Sequence, residues 1–161
     1  MMLKNFFIKT VLLLSQESKC VSHKVGSIIV RDERIIATGY NGSPRGHVNC
    51  CDKFSNYNPN QREEHTKWSY LNELHSEINI LIFSGKNQID VEGADMYVTV
   101  QPCNQCLLAL IQAGIKNVYY ITEYDKSNYF EDYNKYINVE KVEGDWIKDF
   151  MLTNNIVLKN I

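Results

Sequence analysis

Apolar residues Phe6, Phe7, Val11 and Leu14 recur at helical spacing near the start of the chain, which predicts an amphipathic first helix. The pattern then changes. The segment VGSIIVRDERIIATGYNG is dense in Ile and Val and is interrupted by Asp32 and Glu33, as expected of two strands joined by a charged turn. Residues 42–61 are rich in Gly, Pro, Asn and Ser and read as one long loop, a feature that in a compact domain is commonly functional. HSEINILIFSG returns to a helical pattern ending at Gly85, ADMYVTV predicts a strand, CNQCLLALIQAG a helix closed by Gly114, and NVYYITEY a further strand. Strands alternating with helices predict an α/β layered fold with a parallel portion. Over residues 125–161 the pattern weakens, and it predicts a helix near 128–136, another near 145–152 and a last strand over NIVLKN.

Composition narrows the function classes. At 161 residues the chain suits one domain spanning 1–161, and 44% hydrophobic with 22% charged residues is ordinary for a globular protein. The net charge is -2 and no Lys/Arg run occurs, which argues against a nucleic-acid partner and for a small-molecule one. The apolar start is short, is broken by Lys9 and lacks a small-residue cleavage site, so neither a secretory leader nor a membrane segment is expected. Five cysteines, an odd count, do not suit a secreted disulfide framework; in a reducing cytoplasm such residues more often hold metal.

Two short motifs open the two central helices: His75-Ser76-Glu77, and PCNQC from Pro102 to Cys106. Cys103 and Cys106 are three residues apart, so at a helix start both thiols face one way. Pro102 ends the strand and admits the helix, whose positive N-terminus favours thiolate and therefore metal. One imidazole and two thiolates form a three-ligand zinc set whose open fourth position is the mark of a catalytic site. Zinc lowers the pKa of a coordinated water to roughly 7. Glu77 is then placed to accept that water's proton and pass it on. Residues i and i+2 diverge inside a helix, so His75 belongs at the first turn or just before it. H-x-E followed by P-C-x-x-C is the general signature of zinc deaminases. A lone C-x-x-C would equally suit a redox pair or half of a structural site, but a second C-x-x-C is missing.

With these motifs in place, the chain resembles the deoxycytidylate (dCMP) deaminase family, in particular its T-even bacteriophage type. The likeness runs through SQESKC, KVGSIIV, IIATGYNGSPRG, VNCCD, NELHSEINIL, GADMYVTVQPCNQC, AGIKNVYY and TEYDK. The resemblance implies a three-layer α/β/α cytidine-deaminase-like fold with a central mixed five-stranded sheet. It implies hydrolysis of dCMP to dUMP and ammonia, with Glu77 catalytic and zinc on His75, Cys103 and Cys106. It further implies that Asn41 hydrogen-bonds the nucleoside, Val25 walls the base and Tyr124 approaches the phosphate. Thr99 and Gln101 would offer backbone groups to the exocyclic amine. Each has a plainer reading: a turn residue at Asn41, core at Val25, a surface aromatic at Tyr124.

By the same resemblance the enzyme is activated by dCTP and inhibited by dTTP, with Mg2+ accompanying a triphosphate. Gly42, Ser43, Arg45 and Gly46 would house the effector, and the assembly would be a homohexamer. The phage type also implies a second, structural zinc on Cys20, Cys50, His65 and Glu73, with Cys51 a spare thiol. On one straight helix His65 and Glu73 would stand about 12 Å apart along the axis, so that site requires the chain to bend between them. The sequence departs from the family in three places: Ser76 replaces the usual Ala, the span from Cys51 to His65 is shorter, and Lys86 stands where Arg is expected. A point charge there replaces a planar fork. Deamination of dCTP, another cytosine nucleoside, a tRNA base or a pterin-like ring are the competing readings, with a non-catalytic nucleotide sensor as the alternative from another class. The intact Glu77 weighs against the sensor.

Overall fold

The computed structural model describes residues 2–159. Its helices are α1 (Met2–Ser15), α2 (Cys50–Lys53), α3 (Arg62–Asn72), α4 (Ser76–Lys86), α5 (Asn104–Gln112) and α6 (Asp145–Thr153). The strands are β1 (Gly26–Arg31), β2 (Arg34–Tyr40), β3 (Asp95–Val100), β4 (Asn117–Thr122) and β5 (Asn138–Lys141). They form one five-stranded sheet in the order β2-β1-β3-β4-β5. β1 is antiparallel to both β2 and β3, while β3, β4 and β5 run parallel, so the sheet is mixed.

The period of two along each strand sorts side chains into two cores. Ile29, Met96, Val98, Val118 and Tyr120 face one side and pack with Ile80 of α4 and Leu107 and Leu110 of α5. Ile28, Val30, Tyr97 and Tyr119 face the other and meet Phe7, Ile8, Val11 and Leu12 of α1 and Ile147 of α6. The result is the expected three-layer α/β/α arrangement. A hairpin turn at Asp32 and Glu33, both at positive φ (49° and 61°), joins β1 to β2 where the charged pair predicts it. Glycine allows a close approach between layers: a Cβ on Gly39 of β2 would lie 2.8 Å from Ile80 Cβ and 3.1 Å from the Ser76 carbonyl oxygen.

Some expectations needed correction. The long loop over 42–61 is interrupted by α2 and by a short 3-10 turn at Pro59–Gln61, and α3 follows it directly. The helix expected at 128–136 is only a 3-10 turn, Tyr133–Lys135, and β5 follows it. Val118 and Val139 pair across β4 and β5, a long-range partnership that a local pattern does not reveal. The last strand reduces to a single antiparallel bridge between His23 and Lys159; Asn160 lies outside the described residues. Helix α4 runs one residue past Gly85, and Asn87 caps it. Among the described residues no helix is long and apolar enough to cross a membrane.

Candidate active site

Two helix starts converge beyond the carboxyl end of β3, the usual place for a ligand site in a parallel α/β sheet. His75 is the N-cap of α4 in extended conformation (φ −65°, ψ 151°), just before the helix, as the divergence of i and i+2 requires. Cys103 is the N-cap of α5, also extended (φ −72°, ψ 169°), and Cys106 lies in that helix's first turn. Neither cap uses its side chain on its own helix. Instead the Sγ atoms of Cys103 and Cys106 lie 3.5 Å and 3.4 Å from Nδ1 of His75. The three ligand atoms sit within 4.8 Å of one another, with Cys106 buried, Cys103 half-buried and His75 facing solvent.

These separations test the fit of a zinc ion. A tetrahedron with centre-to-ligand distances of 2.0–2.3 Å has edges of about 3.5 Å, the spacing found between the imidazole nitrogen and each thiol. Protonation favours the same use. Hydrogen bonding from Cys106 holds Cys103 down at about 4 against the opposing effect of burial, while the shared proton raises Cys106. The pair is therefore poised to present a thiolate.

Glu77 occupies the first turn of α4 and is only 4% exposed. Burial raises its carboxyl above the usual carboxylate range, opposed by the neighbouring His75. Its Oε2 accepts a hydrogen bond from Ser76 Oγ at 3.0 Å. A carboxyl that is buried, oriented and not one of the three clustered donors has the properties of a proton carrier.

A second cluster gathers Cys20, Cys50, His65 and Glu73, again with ligand atoms within 4.8 Å of one another. His65 Nε2 lies 3.6 Å from Cys20 Sγ and 3.2 Å from Cys50 Sγ. The chain does not fold back between His65 and Glu73: α3 is continuous from His65 to Asn72, Glu73 leaves it only as the C-cap with extended backbone (ψ 143°), and the two long side chains close the remaining distance. Glu73 Oε2 accepts from Ser69 Oγ at 2.5 Å, while Oε1 is buried without a hydrogen-bond partner among the described residues. Such an orphaned oxygen beside two thiols and an imidazole fits a cation. Burial, then the charge of Cys20, pushes the Glu73 carboxyl up to about 7, and hydrogen bonding from Cys50 holds Cys20 down at about 4. Phe54 and Trp68 close the cluster on one side, the Phe54 ring lying 5.2 Å from that of His65. Cys51 stands apart, its half-buried thiol 3.8 Å from an Asp52 carboxylate oxygen.

The expected substrate residues are held more tightly than sequence suggests. Asn41 Oδ1 accepts from Ser18 Oγ (2.7 Å) and from the Val25 N–H (2.8 Å), and Nδ2 donates to the His23 carbonyl (2.9 Å). Val25 is half-buried against the main core. Thr99 is fully buried and accepts from the Gly26 N–H at 3.2 Å. Gln101 donates its N–H to the Thr122 carbonyl (2.8 Å) and accepts the Tyr124 N–H on Oε1 (3.2 Å). Tyr124 is raised first by burial and then by the charges of Cys103 and Cys106, so it stands on the thiol side of the site. In the loop expected to take an effector, Gly42 pairs with Leu74 and Ser43 Oγ is buried without a partner among the described residues. Arg45 and Gly46 are exposed at a turn where the His47 N–H bonds to the Pro44 carbonyl at 3.0 Å.

Sequence reasoning missed Ser18, Ser69, Ser76, Ser127 and Tyr129 as supports of these groups. All five act through a hydroxyl, and only Ser76 and Ser69 stand near enough in the chain for their partners to be guessed.

The family model described as the cytidine and deoxycytidylate deaminase zinc-binding region matches residues 1–122. The deoxycytidylate deaminase of Enterobacteria phage T4 is 41% identical over 145 residues, which cover 71% of this chain and 75% of that protein. The human deoxycytidylate deaminase is 37% identical over 120 residues, covering 73% of this chain and 64% of its own length. Among solved structures, the dCMP deaminase of cyanophage S-TIM5, in complex with dCMP and dUMP, is 34% identical. It superposes with a TM-score of 0.68 over 86% of this chain and 96% of that one.

Proposed function

The chain belongs to the cytidine and deoxycytidylate deaminase zinc-binding family, and on that premise we propose that it hydrolyses dCMP to dUMP and ammonia. The observation that carries the reading is the convergence of His75, Cys103 and Cys106 beside the buried carboxyl of Glu77. The dCMP and dUMP complex of the cyanophage relative supports the choice of substrate. When bound by His75, Cys103 and Cys106, zinc supplies the Lewis acidity that makes water a nucleophile near neutral pH.

The remaining work falls to the protein's own groups. Glu77 accepts a proton from the water that adds to C4 of the cytosine ring and hands it to N3. It then carries the hydroxyl proton from C4 to the departing amine, so that one water is consumed and one ammonia released. Ser76 holds the carboxyl oxygen in place for both transfers. Backbone groups of Thr99 and Gln101 receive the exocyclic amine, and Val25 walls the ring. Asn41 has spent three of its hydrogen-bonding positions on the fold, and its second amide hydrogen serves the nucleoside. Tyr124 meets the phosphate end.

The proposal extends to a second zinc on Cys20, Cys50, His65 and Glu73, to a cytoplasmic setting, and to activation by dCTP with inhibition by dTTP, each triphosphate accompanied by Mg2+. The exposed Arg45 supports a triphosphate contact at the loop bearing Gly42, Ser43 and Gly46. Exposed Ile82 and Phe83 on α4 and Leu108 on α5 support burial against further copies in a homohexamer.

Ammonia release is measured with dCMP, dCTP, CMP and deoxycytidine, each with and without a triphosphate effector. We expect turnover of dCMP above the others and a response to dCTP and dTTP. Preference for any of the other three overturns the substrate, and unresponsive turnover overturns the regulation alone.

A further inference from the structure

The turn carrying Cys103 has two backbone ties at its edges, the Gln101 N–H to the Thr122 carbonyl at 2.8 Å and the Leu107 N–H to the Cys103 carbonyl at 2.9 Å. Residues 101–103 lie between β3 and α5 and belong to neither. Pro102 has no N–H, and the Cys103 thiol is directed at His75 instead of capping its helix. The turn is held from outside, by a segment that follows β4 and has no regular structure itself.

Three hydrogen bonds connect the two, and a fourth reaches Asn104 at the start of α5. Tyr129 Oη donates to the Pro102 carbonyl at 2.7 Å, and Ser127 Oγ donates to the same oxygen at 2.8 Å. The Asn128 N–H donates to Asn104 Oδ1 at 3.0 Å, and the Tyr124 N–H to Gln101 Oε1 at 3.2 Å. Two hydroxyl donors on one buried carbonyl satisfy both lone pairs of the peptide that enters Cys103. The brace is itself anchored. The Tyr129 ring meets Tyr133 edge-on at 4.9 Å and packs on the main core. Burial raises its phenol, which remains a donor throughout the working pH range. The Ser127 N–H closes a turn onto the Tyr124 carbonyl at 2.9 Å, which makes Tyr124 and the brace one unit.

We propose that Tyr129 and Ser127 are positioning residues: by clamping the Pro102 carbonyl they set Cys103 against His75 and, through the same segment, set Tyr124 against the substrate's phosphate end. This deepens the deaminase reading and rests on Cys103 being a metal ligand. The clamp lies 25 and 27 residues along the chain from its target, outside both motifs.

Cobalt replaces zinc in the test, because its absorption reports ligand geometry without requiring turnover. Cys103→Ser identifies the bands belonging to this centre. In the double variant Tyr129→Phe, Ser127→Ala, which keeps the ring packing and removes both donors, we expect those bands to shift. We also expect kcat for dCMP to fall by roughly tenfold or more and KM to rise. Orphaning a buried carbonyl lowers the melting temperature by a few degrees while the variant stays folded, and Tyr129→Phe, Ser127→Thr, which keeps one hydroxyl donor, moves both readouts back toward wild type. A double variant with wild-type bands and wild-type kcat overturns the clamp; so does lost stability with unshifted bands, since the residues then only hold the fold. If the unaltered protein does not turn over dCMP, the functional reading fails while the band shift still decides the clamp.

Discussion

Gly42 and Leu74 exchange both of their backbone hydrogen bonds, the Gly42 N–H to the Leu74 carbonyl at 3.1 Å and the reverse at 2.9 Å. This one-pair ladder stands between the two Cys/His clusters. Leu74 is flanked by Glu73 of one and His75 of the other, and Gly42 follows Asn41, whose side chain ties Ser18, His23 and Val25 together. Ser18 Oγ also receives the N–H of Cys20 at 3.2 Å. The second cluster is thus joined to the active site by two short covalent and hydrogen-bonded routes.

The first expectation follows from that connection. His65→Ala and Cys20→Ala each lower zinc by about one ion per chain and lower the melting temperature, because a buried four-ligand set loses a member. Turnover also falls several-fold, as Glu73 no longer fixes the approach to His75. Metal analysis and thermal unfolding on the same samples check this; variants matching the unaltered protein in both would refute the second site.

Ser76 sits fully buried beside Glu77, the proposed proton carrier. Ser76→Ala should lower kcat by roughly two- to tenfold, the equivalent of one net hydrogen bond, with zinc content and KM retained. Steady-state kinetics against metal content decide it. An unchanged kcat would mean that Glu77 is held without Ser76 Oγ.

Gly39 lets α4 lie directly on β2, and that helix carries Ser76 and Glu77. Gly39→Ala drives a methyl into the Ser76 carbonyl and the Ile80 side chain, and should cost about 1–3 kcal/mol of stability. Denaturant unfolding reads this directly. A variant as stable as the parent would show that the two elements part easily.

The site was more legible than the frame that supports it. His75, Glu77, Cys103 and Cys106 fall in two short motifs at helix starts, whose residue types and spacing are local and therefore readable in the chain. The doubly apolar β3 and β4 were equally plain, since strands buried on both faces leave long hydrophobic runs. The edge strand β5, with Glu140 and Lys141 exposed, has no such run and was missed. Tyr129 and Ser127 escaped for a different reason. Their role exists only once β4 returns the chain beside the Pro102 turn, and no spacing in the sequence encodes that meeting.

In the proposed reaction Glu77 moves protons while His75, Cys103 and Cys106 hold the metal. Glu77→Gln tests it most directly, because the amide keeps the shape of the carboxyl and cannot accept the proton. Zinc content and dCMP turnover are measured together on the purified variant. Unchanged zinc with turnover reduced by about 10²–10⁴-fold or more is expected. Loss of zinc would make Glu77 a ligand, and retained turnover would move the proton transfer to another group; either result contradicts the account.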